Sequence, residues 1–395
     1  MNMSKDEATT YPIELVLEEF QKHLYIEDPS LIKIVTATVV SIGITGDPVW
    51  LFIVGPPGSI KSEMIRSFDG LEMVVSISTL TKNSLVSGQR TKGSDPSLLP
   101  HLDRKILMIK DASTILTLPK DDKAHIFSQL RDAYDGYMGK AFGNIGPQQW
   151  KSRFGLIAGV TPEIDRQHSL EQNLGERFLK VRTKYVNRLE ATRRAQANIG
   201  KDDQIREALK EVTGKFTCAH TISDGQPLPA IPGYLASKVV SLADFLALGR
   251  TAVVRHWKTG QVEYKPEPEL GTRLCKQLTK LSQSLALVDD LSSVTLAHYV
   301  IVRRVAEDTL PKKTLELLQI LYNFKDQEPK STQELALAVG YDTDTIRRDL
   351  DDLRLLGIVS KEAPHPNEFV WKIKPDIVRL MADIYDISLE NQHLK

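Results

Sequence analysis

The chain has 395 residues, 41% hydrophobic and 26% charged, and its 51 basic side chains are balanced by 51 acidic ones. That length accommodates two or three domains with cores of their own, while zero formal net charge excludes a long-range field that gathers nucleic acid non-specifically. Two cysteines, Cys218 and Cys275, exclude a disulfide framework and give no metal-ligand spacing; with no signal-peptide core and no apolar run of bilayer length, a cytoplasmic protein off the membrane is expected.

Two amphipathic helical patterns open the chain, "IELVLEEFQKHL" from Ile13 and "LIKIVTATVVSIGI" from Leu31. A turn at Gly46–Pro48 leads into "VWLFIV", a buried strand, and then into "GPPGSIKS", with a helix beginning at Lys61. Further strands are expected at "MVVSIS" (73–78), "KILMIK" (105–110) and "RFGLIAGV" (153–160), with a helix over 123–136. Continuous apolar runs separated by helical segments predict a doubly wound parallel sheet, covered on both faces, within residues 1–185. Residues 186–310 read as helices, and no internal repeat or low-complexity segment interrupts them.

The block 311–395 has its own signature. Helical patterns at 312–324, 331–340 and 341–357 precede two short strands around a proline-containing wing, which predicts a winged-helix domain. Ser331 and Glu334 have the spacing of a capping box.

The stretch Gly55–Ser62 follows the pattern G-x-x-x-x-G-K-[ST] between a strand and a helix, except that Ile60 replaces the second glycine. Such a loop turns backbone N–H groups toward phosphate oxygens. Gly55, Pro56, Pro57, Gly58, Ser59, Ile60, Lys61 and Ser62 are therefore the expected ATP-binding residues, with Lys61 on the β- and γ-phosphates and Ser62 on Mg²⁺. The acid expected to complete the metal shell and orient water is Asp111, at the end of "ILMIKD". Lys110 occupies the usual metal-aspartate slot, and Asp111 takes both roles or reaches that slot through a bulge.

"GPPGSIKS", "ILMIKD", "AGVTP" and "LGERF" occur in the order of the AAA+ ATPases, and "GTRLCKQLTKLSQSLAL" resembles the sensor-2 helix of minichromosome-maintenance-type helicases. The resemblance covers roughly residues 50–310. It implies a P-loop AAA+ α/β core, a helical lid over 186–310, and a homo-oligomeric ring, a hexamer. It also implies Thr161 as sensor 1 (where Asn is usual), Arg177 as the arginine finger of the neighbouring site, and Arg273 as sensor 2. By the same resemblance the segment 134–154 is a pore hairpin with Lys140 near its tip. A finger arginine supplied in trans is worth on the order of 10³–10⁵ in rate.

Seven basic residues between Arg177 and Arg194 are opposed only by Glu190. This run suits phosphate contacts, a subunit interface or a solvated helix face alike. The third helix of the last block carries Arg347, Arg348 and Arg354 against five aspartates, a balance that opposes a phosphate-rich groove. Arg347 and Arg348 are the candidates for DNA contact, with protein docking as the alternative role. The expected function is an ATPase that translocates or unwinds DNA, with replication or mobile-element proteins as partners. The alternatives are a slowly hydrolysing, nucleotide-switched DNA-binding regulator or helicase loader, and a non-catalytic assembly module.

Overall fold

Runs of residues apolar on both sides of the backbone become the central strands of a sheet, because such a strand is stable only when covered on both faces. In the computed structural model these strands are β1 (Trp50–Val54), β3 (Ile106–Ile109) and β6 (Gly155–Val160), with the part-buried β2 (Val74–Ile77) at one edge. A fifth, β7 (Phe178–Arg182), completes a parallel sheet in the order β2-β3-β6-β1-β7. The structure describes residues 11–88, 95–143, 146–167, 177–184, 187–223, 225–256, 258–365 and 368–386. Leu174, Gly175 and Glu176 of the expected "LGERF" motif lie outside them, as do Asn144 and Ile145 of the expected hairpin.

One face of the sheet presents Trp50, Phe52, Leu107, Ile109, Leu156 and Phe178 to the helix α5 (Lys120–Tyr134), whose Ile126, Phe127, Leu130 and Tyr134 complete the core. Trp50 meets the Tyr134 ring edge-on at 5.1 Å and donates its indole N–H to the Phe154 carbonyl at 2.8 Å. Each aromatic pair of this kind adds about 0.5–1.5 kcal/mol beyond its buried area. The other face is covered by α2 (Ser30–Val40) and α3 (Lys61–Arg66). Where the sequence suggests an amphipathic helix, α2 is buried nearly all round, and the Thr38 hydroxyl is satisfied by the Ile34 carbonyl.

A short helix α4 (Ser113–Leu116) follows β3, and an antiparallel hairpin of β4 (Tyr137–Phe142) and β5 (Gly146–Lys151) separates α5 from β6. At the amino end, α1 (Ile13–His23) packs against α7 (Asp202–Ala219). The polar helix α6 (Arg188–Ala197) precedes α7 and buries none of its residues.

The chain divides into two compact units, Met1–Pro232 with Thr279–Val302 and Gly233–Leu278 with Arg303–Lys395. The helices α9 (Thr272–Val288) and α10 (Leu296–Thr309) each cross from one unit to the other, so residues 186–310 contribute to both. The second unit contains α8 (Gly233–Gly249), α11 (Lys312–Asn323), β8 (Lys330–Ser331), α12 (Thr332–Val339), α13 (Thr343–Leu355), β9 (Val359–His365), β10 (Glu368–Ile373) and α14 (Pro375–Tyr385). Its three strands form an antiparallel sheet in the order β8-β10-β9. The Ser331–Glu334 capping box is formed in both directions, and Gly340 ends α12 in the left-handed conformation that glycine adopts without strain. The helix α14 packs on α8, where the ammonium of buried Lys238 donates to the Asp383 carbonyl.

Candidate functional site

The loop Gly55–Ser62 leaves the carboxyl end of β1 between the ends of its two neighbours. Gly55 N–H donates to the Val160 carbonyl at 3.1 Å, and Thr183 N–H donates to the Val54 carbonyl at 2.8 Å. A Cβ on Gly55 would lie 2.2 Å from Thr183 Oγ1 and 2.9 Å from Ser59 Oγ, so only glycine fits. Gly58 has φ +75° and faces open space, again a glycine position. Ile60, by contrast, sits at φ −65° and ψ −5°, helical values open to any L-residue. The missing second glycine therefore introduces no backbone strain.

Lys61 is only 8% exposed. Its ammonium donates to the Gly55 carbonyl (2.5 Å), the Pro56 carbonyl (2.8 Å) and the Ser59 hydroxyl (2.9 Å), so the loop is wrapped around its own lysine. Burial pushes the Lys61 amine below the ordinary lysine value, and the charge of Asp111 partly offsets that push. Asp111, just past β3, is exposed, and its Oδ1 accepts from Ser113 N–H at 2.9 Å. Ser113 in turn accepts, through its hydroxyl, the N–H of Thr161 at 2.9 Å. Thr161 follows β6, which lies between β1 and β3. The sheet order thus gathers Lys61, Asp111 and Thr161 at one mouth. Ser62 is half-buried in the first turn of α3.

Lys110 shares strand parity with Ile106 and Met108, opposite to Leu107 and Ile109, which belong to the core packed on α5. Its backbone passes so close to β6 that a Cβ on Gly159 would lie 2.7 Å from the Lys110 carbonyl and 3.6 Å from Lys61 Cβ. Gly159 therefore lets the acid-bearing strand end and the lysine approach each other.

No protein-family model matches this chain, and no curated protein matches its sequence.

The donor set fits magnesium held jointly with phosphates. Ser62 offers a hydroxyl and Asp111 an exposed carboxylate, and among the described residues no group of three or more His, Cys, Asp or Glu side chains gathers to form an all-protein cage. Magnesium typically takes one or two protein oxygens and completes its shell with waters and substrate phosphates.

Of the other expected site residues in this unit, Arg177 is not brought to this mouth. Arg177 precedes β7 at the amino end of the sheet, since Phe178 pairs with Trp50, whereas the loop leaves the carboxyl end. Its side chain is 8% exposed, faces the Tyr134 ring at 5.5 Å and pairs with Asp135 at 3.3 Å. Arg273 belongs to the other unit and pairs with Glu269 at 3.5 Å. The same carboxylate is held by buried Arg250 at 2.5 Å.

Lys140 lies near the hairpin tip. It pairs with Gln148, two residue pairs back from it, and rests 5.3 Å from the Phe142 ring centroid and 3.5 Å from His125 Nε2. The basic run from Arg177 to Arg194 does not form one surface. Lys180 is buried, Arg182 forms a two-bond fork with Asp165 (2.8 Å each), and Arg194 donates to the Gln21 and Lys22 carbonyls at the end of α1.

The acidic excess counted along α13 is also redistributed. Asp349 is held by Lys313 at 2.7 Å, Asp351 by Lys361 and Arg354, and Asp352 by Arg255, while Asp342 caps the helix by accepting from Thr345 N–H. Arg347 and Arg348 remain exposed, Arg347 in a surface pair with Asp344 at 2.8 Å. Partners from other elements neutralise the inward aspartates, so the outward face is not acidic.

Sequence reasoning missed Ser113, Gly159 and Thr183 around the loop, and Glu63 of α3, which pairs with Arg206 of α7 at 3.0 Å. Ser113 has a local signal, two residues after Asp111. The others are defined by contacts between distant segments, which spacing does not reveal.

Proposed function

We propose that the chain is a P-loop ATPase of the AAA+ type that works as a homo-oligomeric ring on DNA. The observation that carries this reading is the meeting of Lys61, Asp111 and Thr161 at the carboxyl ends of three adjacent strands, the edge at which open α/β sheets bind ligands.

In this reading a triphosphate takes the place of the loop carbonyls as the partner of Lys61. The Lys61 ammonium then lies against anionic oxygens, which are better acceptors than the carbonyls it leaves. The Ser62 hydroxyl and the Asp111 carboxylate would hold magnesium, which supplies charge neutralisation between the phosphates. Asp111 also orients the attacking water, and Thr161 supplies a hydroxyl beside it. Arg177 would serve a neighbouring subunit's site and Arg273 the lid contact. Helix–strand–helix–helix–strand–strand topology in 312–373 supports a winged helix, with Arg347 and Arg348 facing DNA. Lys140 on the β4–β5 hairpin is the pore contact of this reading.

A second reading, a slowly hydrolysing nucleotide switch, is favoured by one observation. Arg177 is engaged with Asp135 and Tyr134 within its own chain, so presenting it to a neighbour requires a rearrangement. Steady-state ATP turnover, measured alone and with single-stranded and duplex DNA, separates the two. Stimulation by DNA that disappears in Lys61→Ala and in Arg177→Ala supports the ring motor. Bound ATP with negligible turnover under every condition supports the switch, and failure to bind ATP overturns both.

A further inference from the structure

The helix that follows the loop is too short to hold itself. Six residues, Lys61–Arg66, make less than two turns, and a helix of that length is unstable in water without external contacts. One of those contacts is an ion pair that the nucleotide reading does not use. Glu63, next to Ser62, accepts from Arg206 of α7 through two roughly parallel bonds, Nε to Oε2 at 3.0 Å and Nη2 to Oε1 at 3.1 Å. Such a fork fixes direction as well as distance.

The other partners of these two side chains cannot replace it. Arg66 reaches Glu63 Oε1 at 3.0 Å but belongs to α3 itself, so it ties the helix to nothing else. Asp203 lies 3.6 Å from Arg206 and is fully exposed. Arg206, by contrast, stands on a rigid base. Ile205, Leu209, Val212 and Phe216 of α7 are buried, α7 packs on α1, and a Cβ on Gly214 would touch Leu71 at 3.5 Å, beyond the end of α3.

Successive residues on a helix are about 100° apart around its axis. Fixing the direction of Glu63 therefore fixes that of Ser62 and Lys61. We infer that Arg206 is a positioning residue of the nucleotide site: through Glu63 it holds the first turn of α3, and with it the Ser62 hydroxyl, in the orientation that magnesium–nucleotide binding requires. This inference rests on the nucleotide reading above.

The test uses the full chain with ADP as probe, titrated with and without Mg²⁺, in Arg206→Ala, Arg206→Lys, Glu63→Gln and the exchanged pair Glu63→Arg/Arg206→Glu. Loss of a group that orients a metal ligand typically weakens metal affinity about 10- to 100-fold. The gain in ADP affinity on adding Mg²⁺ is thus expected to shrink about tenfold in Arg206→Ala, with Mg²⁺-free ADP binding much less affected. Arg206→Lys keeps the charge and loses the fork, and is expected to show the same selective loss with an unchanged thermal midpoint. The exchanged pair is expected to recover it. Amide hydrogen exchange without nucleotide should quicken over residues 61–66 in Arg206→Ala and return to normal in the exchanged pair.

An unchanged Mg²⁺ effect in Arg206→Ala overturns the inference, as do equal losses with and without Mg²⁺ or an exchanged pair that recovers nothing. Wild-type protein that binds no ADP overturns the nucleotide reading itself, a different result from normal wild-type binding with an indifferent Arg206.

Discussion

Two buried lysines in the same unit make an instructive pair. Lys61 and Lys280 are 8% and 7% exposed, and each donates to two backbone carbonyls of a turn: Gly55 and Pro56 for Lys61, Ile44 and Gly46 for Lys280. Burial pushes both amines down, Lys280 to about 8. Their surroundings differ. Lys61 lies within the field of an exposed carboxylate, Asp111. Lys280 lies in the field of a like charge, Arg153, with Asp47 opposing. Burial and a depressed amine are thus common to a candidate phosphate ligand and to a lysine that fastens a turn. What distinguishes the first is its charged neighbour, an exposed acid, Asp111, where Lys280 has Arg153.

The sharpest way to break this comparison is to remove each lysine in turn. Lys61→Ala is expected to lower ATP turnover on the order of 10²–10³-fold, the cost of losing one preorganised charge at a transferring group, with little change in thermal midpoint. Lys280→Met is expected to leave turnover near the wild-type value. Equal loss of turnover in the two variants would erase the distinction.

Burial of Lys280 also makes stability depend on pH. Because the folded-state value of Lys280 lies below its ordinary one, the unfolded chain binds more protons between about pH 8 and the ordinary lysine range. Stability then rises with pH across that window, by on the order of 3 kcal/mol for this group alone. Below about pH 8 both states are protonated and the cost of burying the charge is fully present. Urea midpoints measured from about pH 7.5 to about pH 10.5 should therefore climb more steeply in the wild type than in Lys280→Met. Parallel curves would show that the Lys280 ammonium is solvated well enough to feel no burial.

How much of this was legible in the sequence depends on where the information resides. Strands β1, β3 and β6 announce themselves because burial on both faces demands unbroken apolar runs. The edge strand β7 does not, since Lys180 and Arg182 interrupt its pattern, and the burial of Lys180 and the pairing of Arg182 with Asp165 appear only after folding. The two-residue β8 and the helix α14 likewise escaped, the first for lack of length and the second because it adds a helix to the three that a winged helix requires. For the site, the loop is written in eight consecutive residues, Gly55–Ser62. The Glu63–Arg206 fork joins residues 143 apart and has no local trace. Charge counting failed on α13 for the same reason: Lys313, Arg255 and Lys361, which neutralise its aspartates, lie outside the helix.

That redistribution yields a smaller, separable effect. If the outward face of α13 meets DNA phosphates, replacing Arg347 and Arg348 together by Ala should reduce the slope of log affinity against log salt by about 2 and lower duplex affinity about tenfold at moderate salt. ATP turnover without DNA should not change. An unaltered salt slope would assign this face to protein docking instead.

The smallest expected effect concerns Ile60, the residue that breaks the loop pattern. At φ −65° and ψ −5° its backbone already has a conformation open to any L-residue, so Ile60→Gly relieves no strain. The change instead widens the choice of conformations in the unfolded chain and costs about 0.5–1 kcal/mol of stability. ADP affinity, measured by calorimetry, is then expected to stay within about threefold of wild type, since no backbone donor is gained or lost. A much larger rise in affinity would mean that the isoleucine side chain obstructs the phosphates, so that this side chain, rather than the engagement of Arg177, is what limits the site.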